Sequence, residues 1–385
     1  MSVTVDGSIE VPPGLRDVVV TTTEIGDVRG REGFYHYRQY SAIDLAASCS
    51  FEETWFLLLE GRLPSAAELT SFVAEIAPLR VLPDQLRTLL PSIAALGAAA
   101  DPMSGLRTAL SALGAAHGLP ALWDAAPDRR RADALLVCAV TPTILAALYR
   151  LRACLEPIEP RAELSTAANW LAMLGISDPA PAHVRAVETY LIATIDHGFN
   201  ASTFTARVVA STGADVASAV TAAIGAFTGP LHGGAPDRAL DSVDEIGTPD
   251  RIDDWVRAKV LAGDRIMGFG HPVYRTEDPR AVLLREKARE LGGPLVEFAT
   301  TVERRVVEIL AEVKPGRELY ANVEFYAGVV MELCGIPRSL FTPTFAVSRV
   351  IGWTANILEQ AEGGRIIRPA ARYVGPSAPQ PLPPR

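Results

Sequence analysis

The sequence predicts a mainly α-helical protein with one small β element near its N-terminus. Apolar residues make up 49% of the 385 residues, and most of them recur at helical spacing between clear start and stop signals. Strand patterns are few: the main ones are at 18–23 and 34–40. A chain of this length forms one large domain or two closely packed ones.

Two helix boundaries can be predicted from capping residues. Asp278 followed by Pro279 is a typical N-cap and first helical residue, and Gly292 or Gly293 ends the same helix. Ser65, with Glu68 three residues later, is typical of a capping box at the start of another helix.

Two apolar stretches are predicted to be core helices. Residues 206–227 have no alternating pattern and are followed by Gly229 and Pro230, so one helix is expected there. The longest apolar stretch, at 134–149, is short for a membrane span and contains Thr141, Pro142 and Thr143. We therefore predict a buried helix and no membrane association.

Composition excludes some classes of function. The formal net charge of −9 disfavours binding to nucleic acid, which depends on neutralising phosphates. The four cysteines form no CxxC pair, and the N-terminus lacks a basic region followed by an apolar run. These features predict a cytoplasmic protein without a disulfide framework. The Pro-rich tail at 376–385 is expected to be extended.

Three of the six histidines, His197, His232 and His271, are candidates for chemistry. Each lies next to glycine or small polar residues, where the backbone can approach a ligand closely. The alternative for each is a loop histidine whose nitrogens bind the backbone. No metal-ligand spacing such as HExxH is present, so we predict no metal site.

Arginines offer candidate anion sites. Arg280 lies in the first turn of the helix capped by Asp278, where the helix N-terminus already favours an anion. Arg349 has apolar neighbours that suggest burial, and Arg368 precedes a proline. Surface ion pairing is the alternative for each of these three.

The segment at 263–270 contains Arg265, Gly268 and Gly270. It matches neither the P-loop pattern nor GxGxxG, yet its backbone N–H groups are suited to contact a nucleotide. Glu324 lies in an apolar setting, which raises a carboxyl pKa and favours a general base. A solvated glutamate is the alternative.

These residues together resemble the citrate synthase family. The resemblance runs nearly end to end, in ordered motifs at 14–16, 23–25, 37–38, 51–53, 58–64, 200–208, 229–235, 268–271, 278–281, 322–326 and 365–369. It implies a homodimer of two-domain helical subunits, with the active site in the cleft between the domains. The large domain would span 1–225 and 332–375, and the small domain 226–331.

The resemblance also implies roles for the candidates. Acetyl-CoA and oxaloacetate would be the substrates, with no cofactor or metal. The catalytic residues would be His232, which stabilises the enol, His271, which polarises the ketone, and Glu324, which removes the acyl α-proton. The remaining roles are oxaloacetate binding by His197, Arg280, Arg349 and Arg368, the last from the partner subunit, and CoA binding by Arg265, Gly268 and Gly270.

One departure from the family pattern affects the chemistry. Glu324 stands where Asp is the commonest base, one methylene longer. Two alternatives stay open beside citrate synthesis. The first is a 2-methylcitrate synthase that uses propionyl-CoA, and the second is a non-catalytic paralogue that binds CoA or a dicarboxylate.

Overall fold

The computed structural model describes residues 9–96, 102–229, 232, 236–314, 316 and 318–383, without the side chains of 236–238. Over these residues the chain forms a mainly helical body with one small sheet. The strands are β1 Gly26–Arg29, β2 Phe34–Tyr37 and β3 Tyr40–Ser41. The α-helices are α1 Ala42–Ser48, α2 Phe51–Glu60, α3 Ala66–Ile76, α4 Asp84–Ala94, α5 Pro102–His117, α6 Pro127–Arg152, α7 Thr166–Met173, α8 Pro181–Thr194, α9 Ala201–Ala210, α10 Val216–Phe227, α11 Pro236–Ile246, α12 Ile252–Leu261, α13 Pro279–Leu291, α14 Pro294–Val313, α15 Val323–Leu333 and α16 Phe341–Gly363.

The small sheet is antiparallel in the order β1-β2-β3, with Arg29 opposite Phe34. Two buried tyrosines of β2 fix it to the end of α8: Tyr35 donates to the Ala193 carbonyl at 2.8 Å and Tyr37 to the Ile192 carbonyl at 2.9 Å. The strand predicted at 34–40 is therefore confirmed as β2 and β3. The strand predicted at 18–23 is wrong, because those residues are largely exposed and pair with no strand.

Capping residues placed two helix boundaries correctly. Asp278 accepts the Arg280 amide at 3.0 Å, and α13 ends at Gly292 with a φ of 71°. Ser65 and Glu68 exchange the two hydrogen bonds of a capping box at the start of α3.

The single helix predicted at 206–227 is wrong. The chain forms α9 and α10, separated by a turn in which Gly213 has a φ of 81°. Asp215 then caps α10 by accepting the Ser218 amide at 2.9 Å. The apolar pattern continues through the turn, so periodicity alone does not reveal the break.

The apolar stretch at 134–149 lies inside α6, as predicted, and is almost wholly buried. Helices α4, α5 and α16 pack against α6. By length and composition α6 also meets the criteria for a membrane-crossing helix. Its burial among other helices accounts for the same composition, since core helices are apolar on all sides.

Helix α16 lies at the centre of the body and contacts α2, α6, α8, α9 and α10. A second group of helices packs together through the pairs α11–α15, α13–α15 and α12–α14. Helix α13 also contacts α1 and α8, so the two groups meet beside the sheet. The domain boundaries predicted at 226 and 331 stay a prediction. Residues 364–383 form neither helix nor strand and are mostly exposed, as predicted for the tail.

Candidate active site

The first part of the site lies just after α8, where the chain turns towards α9. His197 is half-buried here, and its Nε2 lies 2.9 Å from the hydroxyl of Tyr274. Its ring centroid is 5.6 Å from that of His271. Burial, and then the positive charge of Arg280, hold the pKa of His197 well below its usual value. The imidazole is therefore neutral at pH 7.

His271 has its tautomer fixed by the backbone. Its Nδ1 accepts the amides of Val273 at 3.0 Å and Tyr274 at 3.1 Å. Because Nδ1 is then an acceptor, the neutral ring carries its proton on Nε2. Burial, and then the charge of Arg280, lower the pKa of His271 to about 4. At neutral pH the ring is thus a hydrogen-bond donor at Nε2.

Arg280 presents a second donor at the same point. Its Nη2 lies 3.2 Å from Nε2 of His271, and two donors do not bond to each other. An oxygen atom placed beside them would accept from both. The guanidinium itself is held by Asp278, whose oxygens lie 3.0 Å from Nε and 2.8 Å from Nη2. Both side chains are almost fully buried.

Two motifs that are distant in sequence lie side by side. The segment at 268–270 pairs with 320–322: the Gly270 amide donates to the Tyr320 carbonyl and the Asn322 amide to the Gly268 carbonyl, each at 2.8 Å. Gly268 is required here, because its φ is 83° and an added Cβ would lie 3.1 Å from Phe325. This pairing fixes the start of α15 relative to His271.

Glu324 lies in the first turn of α15, where Asn322 caps the helix by accepting its amide at 3.1 Å. The side chain is half-buried. Burial raises the pKa of the Tyr190 hydroxyl, the charge of Glu324 raises it further, and the charge of Arg349 opposes both. Glu324 therefore shares an electrostatic environment with the candidate anion-binding arginines.

His232 is held by the start of α9. Its Nε2 lies 3.2 Å from the Ser202 amide, which donates to it, and 2.8 Å from the Ser202 hydroxyl. With Nε2 as the acceptor, the neutral ring carries its proton on Nδ1. Trp353 donates to the Ser202 hydroxyl at 3.0 Å, and the one proton of that hydroxyl lies between two acceptors, Nε2 of His232 and Oδ1 of Asn200, each at 2.8 Å. Burial, and then the charge of Arg349, lower the pKa of His232 to about 4.

Arg349 is a buried cation on α16, with 2% of its surface exposed. Its Nε donates to the Thr194 carbonyl at 2.9 Å, and its guanidinium lies 4.6 Å from the ring centre of Phe345. Its charge lowers the pKa of both His197 and His232. Burial is the main cause that lowers its pKa.

The structure does not bring every candidate into this cluster. Arg265 is exposed, on the segment that leads to Gly268 and Gly270. Arg368 is exposed on the segment after α16, and it lines an open cavity of about 1520 Å³ formed with residues 18–24 and with α6 and α16. Its predicted contribution to a partner subunit stays a prediction.

Several site residues were not predicted from the sequence. Ser202, Trp353 and Tyr274 orient the histidines, yet hydroxyl and indole side chains carry no signal of that role. Only for Tyr274 does the sequence give an indication of this role, because Tyr274 lies in the same motif as His271. Within the described part of the chain, no group of three or more His, Cys, Asp or Glu side chains is arranged to hold a metal ion.

The arrangement is suited to stabilise charge on two different oxygen atoms. The imidazoles of His232 and His271 each accept from the backbone at one nitrogen and offer N–H at the other, and the charge of a buried arginine acts on each. A carboxylate on α15 is the candidate base. Such a set can remove a weakly acidic proton, hold the resulting enolate, and polarise a ketone that the enolate attacks.

The chain is similar to proteins of one family along most of its length. The family model described as the C-terminal domain of citrate synthase matches residues 14–370. Citrate synthase of Deinococcus radiodurans is 36% identical over 370 residues, covering 95% of this chain and 96% of the relative. The 2-methylcitrate synthase of Mycobacterium tuberculosis is 42% identical over 373 residues, covering 97% of this chain and 92% of the relative.

A solved structure with the same fold is citrate synthase of Thermoplasma acidophilum, in a ternary complex with carboxymethyl coenzyme A and oxaloacetate. Its TM-score is 0.89 at 31% identity, covering 97% of this chain and 98% of that one. The mainly helical fold predicted from the sequence is thereby confirmed. The chain belongs to the citrate synthase family and is an acyltransferase of that type.

Proposed function

We propose that this enzyme condenses acetyl-CoA with oxaloacetate to give citrate and CoA. The observation that carries the proposal is the pair of neutral imidazoles, His232 and His271, each with its tautomer set by main-chain amides. A purely binding protein has no need of two such donors together with a candidate base. The buried Arg280 and Arg349 supply positive charge for a dicarboxylate.

In the first step Glu324 removes a proton from the α-carbon of the thioester. His232 donates its Nδ1–H to the thioester oxygen, where negative charge develops. The α-carbon then attacks the ketone carbon of oxaloacetate, whose oxygen accepts from His271 Nε2 and from Arg280. The new alkoxide takes the His271 proton, and the proton held by Glu324 passes through solvent to restore the imidazole. A water molecule then attacks the thioester carbonyl, and citrate and the CoA thiol leave.

The remaining roles are those that the resemblance to the family implies. His197, Arg280 and Arg349 hold the carboxylates and ketone of oxaloacetate, and the segment with Arg265, Gly268 and Gly270 lies along CoA. The protein acts as a homodimer whose second subunit supplies Arg368. Closure of the domain at 226–331 over the substrates excludes bulk water while the enolate attacks the ketone.

A second acyl donor has a specific observation in its favour. The relative named 2-methylcitrate synthase is 42% identical to this chain, against 36% for the Deinococcus citrate synthase. Propionyl-CoA would enter the same mechanism, with one more methyl group on the carbon that loses its proton.

The test is release of free thiol from acetyl-CoA and from propionyl-CoA, each with oxaloacetate. We expect release from both, with the higher kcat/KM for acetyl-CoA. A preference for propionyl-CoA above about tenfold, which corresponds to 1.4 kcal/mol, would assign the chain to 2-methylcitrate synthesis. No release from either would leave a non-catalytic protein that binds CoA or a dicarboxylate.

The homodimer has its own test in subunit mixing. Arg368→Ala and His271→Ala homodimers are each expected to be nearly inactive. If Arg368 acts in the partner's site, a mixed dimer contains one intact site, and activity returns when the two are unfolded and refolded together. Activity that stays absent after mixing would show that Arg368 acts within its own subunit or not at all.

A further inference from the structure

The turn of the β1–β2 hairpin lies directly against the loop at 271–276, which carries His271 and Tyr274. The amide of Arg275 donates to the Gly30 carbonyl at 3.0 Å. A Cβ at Gly30 would lie 2.3 Å from the carbonyl oxygen of Val273. A Cβ at Gly33 would lie 2.7 Å from the hydroxyl of Thr276. Hairpin and loop are thus in close backbone contact at two points.

The hairpin is itself rigidly held. Tyr35 and Tyr37 are fully buried and donate to main-chain carbonyls at the end of α8. At the other side of the hairpin, Val28 packs against Gly198, where an added Cβ would lie 3.2 Å from a Val28 methyl. The hairpin therefore has little freedom to yield if the loop is pushed.

The contact between Gly30 and the Val273 carbonyl lies next to the two main-chain amides that set the His271 tautomer. Val273, whose carbonyl faces Gly30, is the residue whose amide donates to Nδ1 of His271. The Tyr274 amide is the second donor to that nitrogen, and the Tyr274 hydroxyl reaches His197. A shift of this loop would move both donors and the ring that they orient.

We infer that Gly30 and the β1–β2 turn form a positioning element for His271, by holding the Val273–Tyr274 backbone against Nδ1. This role rests on the proposed function, since it concerns the donor that polarises the ketone. The glycine is needed for close approach, and not for its backbone angle, because its φ is not in the left-handed range. Among the described residues, no hydrogen bond joins the hairpin to Ser202 or Trp353, the two residues that orient His232.

The experiment separates the two halves of the reaction. Condensation, which needs His271, is measured as thiol release from acetyl-CoA and oxaloacetate. Proton removal, which needs Glu324 and His232, is measured by NMR as exchange of acetyl-CoA α-protons in D₂O with L-malate, which has no ketone, in place of oxaloacetate. The variant is Gly30→Ala. Gly363→Ala is the matched control, because a Cβ there meets nothing within 4 Å.

A Cβ at Gly30 forces the Val273 carbonyl to move by about 1 Å, a displacement that can cost up to about 100-fold in rate. We expect Gly30→Ala to lower kcat for condensation by about 10- to 100-fold and to change α-proton exchange by less than about threefold. Gly363→Ala should match the wild type in both assays. Equal losses in both assays, or no loss, would overturn the inference.

A second variant covers the case in which Gly30→Ala does not fold. Gly33→Ala presses on the Thr276 hydroxyl and places a Cβ at a φ of 62°, a mild backbone strain, so it should still fold and show the same selective loss at a smaller size. A wild-type protein without any condensation activity would refute the proposed function itself. An active wild type with an unselective Gly33→Ala loss would refute only the positioning role.

Discussion

The buried pair of Asp278 and Arg280 allows a quantitative prediction. Asp278 is 1% exposed and accepts four hydrogen bonds: three from Arg280, at its Nε, Nη2 and main-chain amide, and one from the Val323 amide at 3.1 Å. Asp278→Asn keeps the shape but removes the charge and turns an N–H₂ group towards these donors. Breaking a buried ion pair in this way costs about 3–5 kcal/mol.

That cost converts into a melting temperature. Unfolding entropy is about 2.1 cal/mol/K per residue, so a chain of this length loses roughly 0.8 kcal/mol for each degree. The Asp278→Asn variant should therefore melt about 4–6 °C below the wild type, measured by circular dichroism at pH 7.5. Its KM for oxaloacetate should rise as well, because Asp278 orients the Arg280 guanidinium.

An exposed ion pair provides the control. Glu312 binds Arg257 at 2.5 Å, but both side chains are about half exposed, and such pairs contribute about 0–1 kcal/mol. Glu312→Gln should shift the melting temperature by less than about 1 °C. If Asp278→Asn behaves like Glu312→Gln in both stability and KM, the reasoning about this buried pair is refuted.

Three further predictions concern the histidines and Arg349. Burial lowers the pKa of His232 and of His271 to about 4, against about 6.5 in the unfolded chain, so the unfolded state binds more protons between these pH values. The free energy of unfolding should therefore fall as the pH is lowered from 6.5 to 4, measured as a decreasing denaturation midpoint. A flat profile would contradict the burial of the two rings. Ser202→Ala leaves the buried indole N–H of Trp353 unpaired and should lower the free energy of unfolding by about 1–3 kcal/mol, measured by denaturant unfolding. Its kcat should fall less than about tenfold, because the main-chain amide of residue 202 still holds His232. Arg349→Lys replaces the planar guanidinium with an ammonium group and should raise the KM for oxaloacetate by about 10- to 100-fold, measured by thiol release. An unchanged KM would show that Arg349 does not bind the substrate.

Local signals in the sequence predicted part of the fold. Capping residues have a direct chemical cause, so the start of α13 at Asp278 and the capping box at Ser65 were placed correctly. The break between α9 and α10 was missed because apolar spacing continues through Gly213. The prediction of a strand at 18–23 was wrong because a strand needs a partner, and β2 pairs with residues 26–29 and not with 18–23.

In the site, the residue types could be predicted from the sequence, but their tautomers and contacts could not. Glycine-flanked histidines and the arginine at a helix N-terminus were visible as residue types, and the structure clusters His197, His271 and Arg280. Their tautomers were not predictable, because they depend on main-chain amides brought close by folding. The same holds for the hairpin turn at Gly30, whose contact with Val273 joins residues far apart in the sequence.

We propose that Glu324 is the base that acts together with His232 and His271. The most direct measurement compares wild type and Glu324→Gln in thiol release from acetyl-CoA, with calorimetric binding of oxaloacetate to both. We predict a loss of turnover of at least about 1,000-fold, in the range general bases contribute, with the Kd for oxaloacetate changed less than about threefold. Turnover that survives in Glu324→Gln would contradict this account and place the base elsewhere.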